Sequence, residues 1–212
     1  MKKVLIATPC LYGQVDAWFV NSLYESVLLG LKNDILLQPV FLANESILPM
    51  ARNELINLAY NGKYNCMVFI DSDELWDPLA LIEIIQSQKD VVALPVVNKG
   101  DKDITFNVWR TENPQIEDKT DGYLKIDRVG TGFLKMSKNV IGNLWESSES
   151  CNFRGKQLKY VCEYSNNNGS FVGEDINLCH KIKELGYDIW LNPKYTVYHL
   201  GVKMYKGDFL KQ

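Results

Sequence analysis

Two aspartates lie one residue apart where a wholly apolar segment ends, in Phe69-Ile70-Asp71-Ser72-Asp73. The uninterrupted apolar run from Cys66 to Ile70 is typical of a buried strand, and ligands of open α/β sheets bind beyond the carboxyl ends of such strands. Side chains two residues apart on an extended backbone point the same way, and paired carboxylates suit Mg²⁺ or Mn²⁺. We therefore predict that Asp71 and Asp73 face one divalent ion. The alternative is a plain strand-end turn, because Asp and Ser favour turns.

A second acidic pair, Glu174 and Asp175, follows Gly173 at the predicted start of a helix. Acids in a first helical turn could simply complement the helix dipole. Two consecutive acids after a polar stretch also suit a general base held beside a substrate hydroxyl. Asp175, or Glu174, is therefore the candidate catalytic base, with the dipole role as the alternative.

Four further features could belong to the same site. Thr8-Pro9 ends the first predicted strand. Arg52 lies in the helix before the Asp71 strand, where it could pair with a phosphate or with Asp71, or simply be solvated. Gly130-Thr131-Gly132 lets a backbone approach a ligand, although a tight turn explains it equally well. His199 ends the last predicted strand and could be a third metal ligand or a structural histidine.

Apolar segments alternate with helical patterns in the first half of the chain, which predicts a parallel sheet covered on both faces. The predicted strands there are 3–8, 35–43, 66–70 and 90–94, and the predicted helices are about 18–31, 48–60 and a third from 78. After about residue 95 the pattern becomes mixed, with strands at 104–109, 123–126, 187–191 and 195–198 and a helix at 173–185. Residues 145–170 are polar and predict a long surface loop. We therefore predict a single α/β domain over 1–212.

Composition excludes several classes of function. The chain has 212 residues, 46% of them hydrophobic, and a formal net charge of -3, so we expect no nucleic-acid partner. No apolar run approaches the roughly 20 residues of a membrane span. The five cysteines are odd in number and include no Cys-x-x-Cys pair, which predicts a soluble, cytoplasmic protein.

Taken in order, these segments resemble the GT-A-fold glycosyltransferases, in particular short family-2-like enzymes of the kind often encoded by phages and viruses. The matching pieces span nearly the whole chain and are Ile6-Ala7-Thr8-Pro9, Ala51-Arg52-Asn53, Phe69-Ile70-Asp71-Ser72-Asp73, Gly130-Thr131-Gly132-Phe133, Gly173-Glu174-Asp175 and His199. The resemblance implies a GT-A-like fold with a nucleotide-binding half at about 1–95 and an acceptor and catalytic half at about 96–212.

The resemblance also implies a reaction, the transfer of a sugar from a UDP- or GDP-sugar to a hydroxyl of a glycan or other acceptor. It implies that Asp175, or Glu174, deprotonates that hydroxyl in an inverting displacement. The implied metal ligands for Mn²⁺ or Mg²⁺ are Asp71, Asp73 and His199. The implied nucleotide-sugar-binding residues are Thr8, Pro9, Arg52, Asp71, Ser72, Gly130, Thr131 and Gly132.

Several alternatives stay open. Many relatives carry an Asp-containing turn for the base after the second strand, where Asn44 or Glu45 would have to substitute here. Retaining enzymes share the fold, and acceptor contacts could come from a further domain or a homo-oligomer partner. A sugar-phosphate nucleotidyltransferase would need basic residues in a Gly-rich loop after the first strand, and 10–16 contains no Lys or Arg. A non-catalytic nucleotide-sugar or glycan-binding module would need no Glu174-Asp175 pair.

Overall fold

The computed structural model describes residues 1–100, 103–109, 117–118, 120–167, 169–201, 204 and 206–211. Within these residues the chain forms five α-helices and sixteen strands. The helices are α1 (Ala17–Lys32), α2 (Leu48–Asn61), α3 (Pro78–Gln86), α4 (Lys138–Ser147) and α5 (Glu174–Glu184). The longer strands are β1 (Lys2–Cys10), β2 (Ile35–Ala43), β3 (Cys66–Ile70), β8 (Tyr123–Ile126), β10 (Phe133–Ser137), β11 (Ser150–Phe153) and β12 (Lys156–Lys159). The short strands are β4 (Glu74–Leu75), β5 (Val91–Ala93), β6 (Val108–Trp109), β7 (Glu117–Asp118), β9 (Arg128–Val129), β13 (Ser165–Asn167), β14 (Ser170–Val172), β15 (Ile189–Leu191) and β16 (Tyr198–His199).

Eight strands form one central sheet in the order β2-β1-β3-β10-β5-β15-β8-β7. β1 pairs in parallel with β2 and β3, and β5 pairs in parallel with β15. β10 runs antiparallel between β3 and β5, and β8 runs antiparallel between β15 and β7. Six of the eight strands therefore share one direction. The prediction of an α/β fold with a mostly parallel central sheet is confirmed.

Both faces of this sheet are covered, which explains why its inner strands are apolar without alternation. One face packs α1 and α3 against alternate strand positions, and the other packs α2, α4 and α5 against the remaining positions. The first core includes Val4, Ile6, Phe19, Leu23, Val68, Ile70, Leu81 and Ile85. The second includes Leu5, Ala7, Leu55, Ile56, Met67, Phe69, Val140, Leu144, Leu178 and Ile182. No described helix has the length and hydropathy to cross a membrane.

The structure corrects the prediction of a long loop at 145–170. Helix α4 extends to Ser147, and two hairpins, β11–β12 and β13–β14, follow it. Ser137 caps α4 by accepting a hydrogen bond from the Val140 N–H. The strand predicted at 104–109 is also shortened to β6, and residues 101 and 102 before it lie outside the described residues. The polar composition suggested a loop because these two-stranded hairpins mostly face solvent and therefore carry polar residues.

The elements that carry the candidate residues meet at one edge of the sheet. β1 and β3 end at this edge, and β10 begins there because its antiparallel register pairs Phe133 with Ile70. The Asp71 N–H continues that register by donating to the Gly132 carbonyl. β16 pairs with β4, which sets His199 opposite Glu74. The fold thus brings together segments that lie far apart in the sequence.

Candidate active site

Buried Arg52 forms an ion pair with partly exposed Asp71 at the end of β3. Arg52 is only 2% exposed, and its Nη2 lies 3.1 Å from Asp71 Oδ1 and 3.4 Å from Oδ2. The same guanidinium lies over the Phe69 ring, and its Nε is 3.6 Å from Glu174 Oε1 on α5. Of the alternatives left open for Arg52, the structure shows the ion pair with Asp71 and excludes a solvated side chain. Arg52 also connects two carboxylates that the sequence analysis assigned to different roles.

The backbone turns at Ser72 and Asp73 and does not continue extended. The extended backbone assumed for Asp71 and Asp73 is therefore wrong, and a strand-end turn describes it, yet both residues line the same pocket. Asp73 instead contacts Lys99, which pairs with its Oδ2, and His199, whose Nε2 is 3.4 Å from its Oδ1. Burial acts to raise the pKa of Asp73, but the hydrogen bonds of His199 and Lys99 outweigh it and lower the pKa to about 2.

The pairing of Asp73 with His199 fits a divalent metal ion. His199 Nδ1 lies 3.1 Å from the Val97 carbonyl, an acceptor only, so this nitrogen carries the proton. Nε2 therefore reaches Asp73 Oδ1 with a hydrogen bond only when His199 carries a second proton. A divalent cation bound between these two atoms would replace that proton. A hydrogen bond from the far ring nitrogen to a carbonyl is also the usual support of a metal-ligating histidine.

Asp71 is not part of that arrangement. Among the described residues, no group of three or more His, Cys, Asp or Glu side chains is arranged to hold a metal ion. The three-ligand set of Asp71, Asp73 and His199 is therefore not assembled, because Asp71 turns to Arg52. Asp73 and His199 remain as the residues that would hold a cation, which would take the rest of its ligands from water or a bound anion.

The Gly130-Thr131-Gly132 segment lies beside the aspartates, and side chains of this chain occupy the space that its glycines leave free. A Cβ on Gly130 would come within 2.6 Å of Asn107 Nδ2, and one on Gly132 would overlap the Glu74 carboxyl. Glu74 is 1% exposed, and burial together with the charges of Asp71 and Asp73 raises its pKa well above the ordinary value. The glycines thus admit Asn107 and Glu74 to the site.

Glu174 and Asp175 occupy the first turn of α5, where Gly173 offers no capping side chain. Asp175 Oδ1 accepts a hydrogen bond from the Ile176 N–H at 2.7 Å, so the dipole role applies to at least this acid. Glu174 is buried, and burial raises its pKa although the charge of Arg52 opposes that shift. Asp175 is the more exposed of the two.

Two adjacent pockets bring these residues together. The Ser72 pocket has a volume of about 320 Å³ and is lined by Pro9, Leu11, Glu45, Ser46, Leu48, Asp71, Ser72, Asp73 and His199. The Glu174 pocket has a volume of about 210 Å³ and is lined by Leu48, Arg52, Asp71, Glu74, Val96, Asn98, Asn107, Gly130, Thr131, Gly132, Glu174, Asp175 and His199. Leu48, Asp71 and His199 line both, so the two pockets meet at these side chains.

All the predicted site residues except Thr8 line one of these pockets. Thr8 is 1% exposed, and its hydroxyl has no hydrogen-bond partner within the described part of the chain. Glu45, which was considered as a substitute for an Asp turn, lines the Ser72 pocket and pairs with Arg154.

Sequence reasoning missed Lys99, Glu74 and Asn107. Lys99 follows the fourth predicted strand, and Glu74 follows Asp73 directly, so position in the sequence could have indicated both. No local signal pointed to Asn107.

No protein-family model and no curated protein sequence matches this chain. Solved structures do resemble it. A197 from STIV has a TM-score of 0.59 and 18% identity, over 95% of this chain and 86% of that one. GalNAc-T7, solved with UDP, GalNAc and Mn²⁺, has a TM-score of 0.56 and 10% identity, over 94% of this chain and 43% of that one. TarS from S. aureus, in complex with UDP-GlcNAc, has a TM-score of 0.50 and 12% identity, over 100% of this chain and 61% of that one.

This chain therefore spans less than two thirds of the GalNAc-T7 and TarS chains. Nucleotidyltransferases are also among the matches, such as the inositol-1-phosphate CTP transferase from T. maritima, with a TM-score of 0.46 and 12% identity over 90% of this chain and 84% of that one. The fold comparisons above a TM-score of 0.5 include the glycosyltransferase GalNAc-T7. The chain has the GT-A-like glycosyltransferase fold.

Proposed function

We propose that this protein is a metal-dependent glycosyltransferase that moves a sugar from a nucleotide-sugar donor to a hydroxyl of a glycan or other acceptor. One observation carries the proposal. The Ser72 pocket, with the candidate metal pair, and the Glu174 pocket, with the candidate base, meet at Leu48, Asp71 and His199. A transferase needs such a junction, because the bond that breaks must lie between the leaving diphosphate and the attacking hydroxyl.

The donor's nucleotide diphosphate would occupy the Ser72 pocket. Asp73 and His199 would hold a divalent cation, which when bound neutralises the charge that develops on the departing diphosphate. Lys99, which pairs with Asp73 in this structure, would turn its ammonium group to a phosphate oxygen. Because GalNAc-T7 was solved with UDP and TarS with UDP-GlcNAc, a UDP-sugar is the first donor to test.

The donor sugar would occupy the Glu174 pocket. Two residues that line this pocket carry a buried polar atom without a hydrogen-bond or ion-pair partner within the described part of the chain, namely Arg52 Nη1 and Glu74 Oε2. Buried polar groups are normally paired, so unpaired ones beside a pocket indicate a polar ligand. Sugar hydroxyls both donate and accept, and therefore complement the guanidinium and the carboxyl together.

Asp175 would act as the general base. It would accept the proton of the acceptor hydroxyl while that oxygen forms a bond to the anomeric carbon of the sugar. The bond from that carbon to the diphosphate oxygen breaks on the opposite face, and the diphosphate leaves with the electron pair, so configuration is inverted. Glu174 would act differently, since its carboxylate is engaged by Arg52 and positions the first turn of α5.

The test is hydrolysis and transfer by the purified chain with UDP- and GDP-sugars, with Mn²⁺ or with chelator. We expect metal-dependent turnover, and we expect Asp175→Asn to lower transfer at least about 100-fold while most donor affinity is kept. Asp73→Asn should weaken donor binding with Mn²⁺ present and much less in chelator. The matched control is Asp188→Asn, an exposed aspartate that also pairs with a lysine, Lys125.

Three results would contradict the proposal. Turnover of a nucleoside triphosphate with a sugar phosphate would indicate a nucleotidyltransferase. Donor binding without turnover by any donor would indicate a binding module. A loss of donor affinity in Asp175→Asn with an unchanged turnover rate would show that the base is wrongly assigned.

A further inference from the structure

Two aromatic rings lie exposed on the hairpin that precedes the candidate base. The Tyr164 and Phe171 side chains are 50% and 73% exposed, and their ring centroids are 5.2 Å apart with a tilt of 40°. They contact each other outside both of the protein's apolar cores. We call this pair the aromatic platform. Paired exposed rings of this kind are typical of binding surfaces, because aromatic side chains supply a large apolar area at little cost in conformational entropy.

The aromatic platform is fixed relative to helix α5. Tyr164 directly precedes β13, and Phe171 lies in β14, which ends just before Gly173. The Ser165 hydroxyl lies 3.1 Å from Asn177 Oδ1, and Asn177 Nδ2 donates to the Glu163 carbonyl at 2.8 Å. These bonds tie the hairpin to the helix whose first turn carries the candidate base.

The charged groups around Tyr164 are mainly acidic. Burial raises the pKa of the Tyr164 hydroxyl, the charges of Glu174 and Asp175 add to that shift, and the charge of Arg52 opposes it. The nearby acidic groups are Glu163, Glu174 and Asp175, and the cations beside them are already paired, Lys181 with Glu163 and Arg52 with Glu174. This charge distribution favours an uncharged ligand over an anionic one.

We infer that the aromatic platform is an acceptor subsite that binds the apolar face of a pyranose ring in a glycan. The inference rests on the proposed function and narrows its acceptor to a neutral carbohydrate. A pyranose carries C–H groups on its faces and hydroxyls around its rim. The Phe171 ring covers one face while the rim stays hydrated, and the neighbouring sugar of the same glycan extends its hydroxyl to Asp175.

The first experiment measures sugar binding without any donor. Methyl β-glucoside, methyl β-galactoside, methyl β-N-acetylglucosaminide, cellotriose and chitotriose are titrated to about 20 mM and followed by saturation-transfer difference NMR. We expect at least one of these sugars to receive saturation, mainly on the protons of one ring face. Phe171→Ala should weaken its binding about 10-fold, and Phe171→Trp should retain it, because a truncated aromatic anchor loses most of its contact.

The control is Tyr24→Ala, which removes an exposed aromatic side chain, 63% exposed, from α1 on the other face of the sheet. It should bind the sugars as the wild type does. The inference is overturned if no sugar receives saturation from the wild type, or if Phe171→Ala binds as tightly as the wild type.

The second experiment separates this inference from the proposed function. With a UDP-sugar that the wild type hydrolyses and the trisaccharide that binds best, the ratio of transfer to hydrolysis should fall about 10-fold in Phe171→Ala. An unchanged ratio overturns the acceptor role. If the wild type neither binds nor turns over any nucleotide sugar, the proposed function fails, whereas the NMR titration still decides whether the aromatic platform binds carbohydrate. Transfer to a peptide with no transfer to the trisaccharides would overturn the assignment to carbohydrate.

Discussion

Replacing Arg52 by methionine tests whether the arginine stabilises the site by neutralising two carboxylates at once. The variant keeps a side chain of similar length and removes the guanidinium that contacts both Asp71 and Glu174. These acid side chains are 32% and 11% exposed, so both carboxylates would be left poorly solvated and without their cation. Removing one partner of a buried ion pair typically costs 3 to 5 kcal/mol of stability.

Because Asp71 is partly exposed, we expect the low end of that range, about 3 kcal/mol in the free energy of unfolding. For a chain of this size the loss corresponds to a melting temperature about 6 to 12 °C lower. The assay is urea unfolding at pH 7, followed by tryptophan fluorescence and circular dichroism together to verify a two-state transition. A loss of less than about 1 kcal/mol would refute the reasoning, since surface pairs fall in that range.

A triple variant provides the matched control. Arg52→Met combined with Asp71→Asn and Glu174→Gln removes the cation and both anions, so no unpaired charge is left in the site. We expect it to recover about 2 kcal/mol of the loss, because removing all the charges of a buried cluster costs far less stability than removing only one partner. It should nevertheless lack transferase activity. A triple variant no more stable than Arg52→Met would show that packing around the arginine stem, and not charge, explains the loss.

Two further predictions concern the glycines and a buried lysine. Gly132→Ala should destabilise the fold by about 1 to 3 kcal/mol and lower donor affinity, because the added methyl group overlaps the Glu74 carboxyl. The control Gly142→Ala in α4 meets open space and should stabilise the fold by about 0.5 kcal/mol. Thermal unfolding measures both variants, and equal changes in stability would contradict the packing argument. Burial lowers the pKa of Lys135 from 10.5 to about 8, so on raising the pH the folded state loses this proton before the unfolded state does. The free energy of unfolding should therefore rise by about 3 kcal/mol between pH 8 and 10.5 and stay level below pH 8. Subtracting the urea-unfolding profile of Lys135→Met from that of the wild type should isolate this rise, and parallel profiles would contradict it.

The fold class was predictable because β1, β3 and the helices around them carry strong local patterns. The helix ending at Asn61 and the strand from Cys66 to Ile70 were predicted nearly to the residue. The place of β10 was not predictable, since its insertion between β3 and β5 depends on pairing between segments distant in the sequence. Helix α4 could have been found, because Ser137 is a capping residue and Val140, Ile141 and Leu144 share helical spacing.

In the candidate site, too, local sequence patterns predicted the residues, whereas contacts between distant segments were not predictable. The residue types near the site were recognisable from their positions at strand ends and at the start of a helix. Their partners were not, because Arg52, Asp71 and Glu174 come from three separate elements. The reasoning for Asp71 and Asp73 assumed an extended backbone, whereas the chain turns at Ser72, although both residues still line one pocket.

The central claim is that Asp73 and His199 hold a divalent cation on the diphosphate of a bound donor. The most direct test is a crystal of this chain with Mn²⁺ and a UDP-sugar, with data collected at the manganese absorption edge. We predict an anomalous peak between Asp73 and His199, beside the diphosphate of the bound donor. A donor bound in the Ser72 pocket with no anomalous peak, and with Lys99 alone on the phosphates, would contradict it.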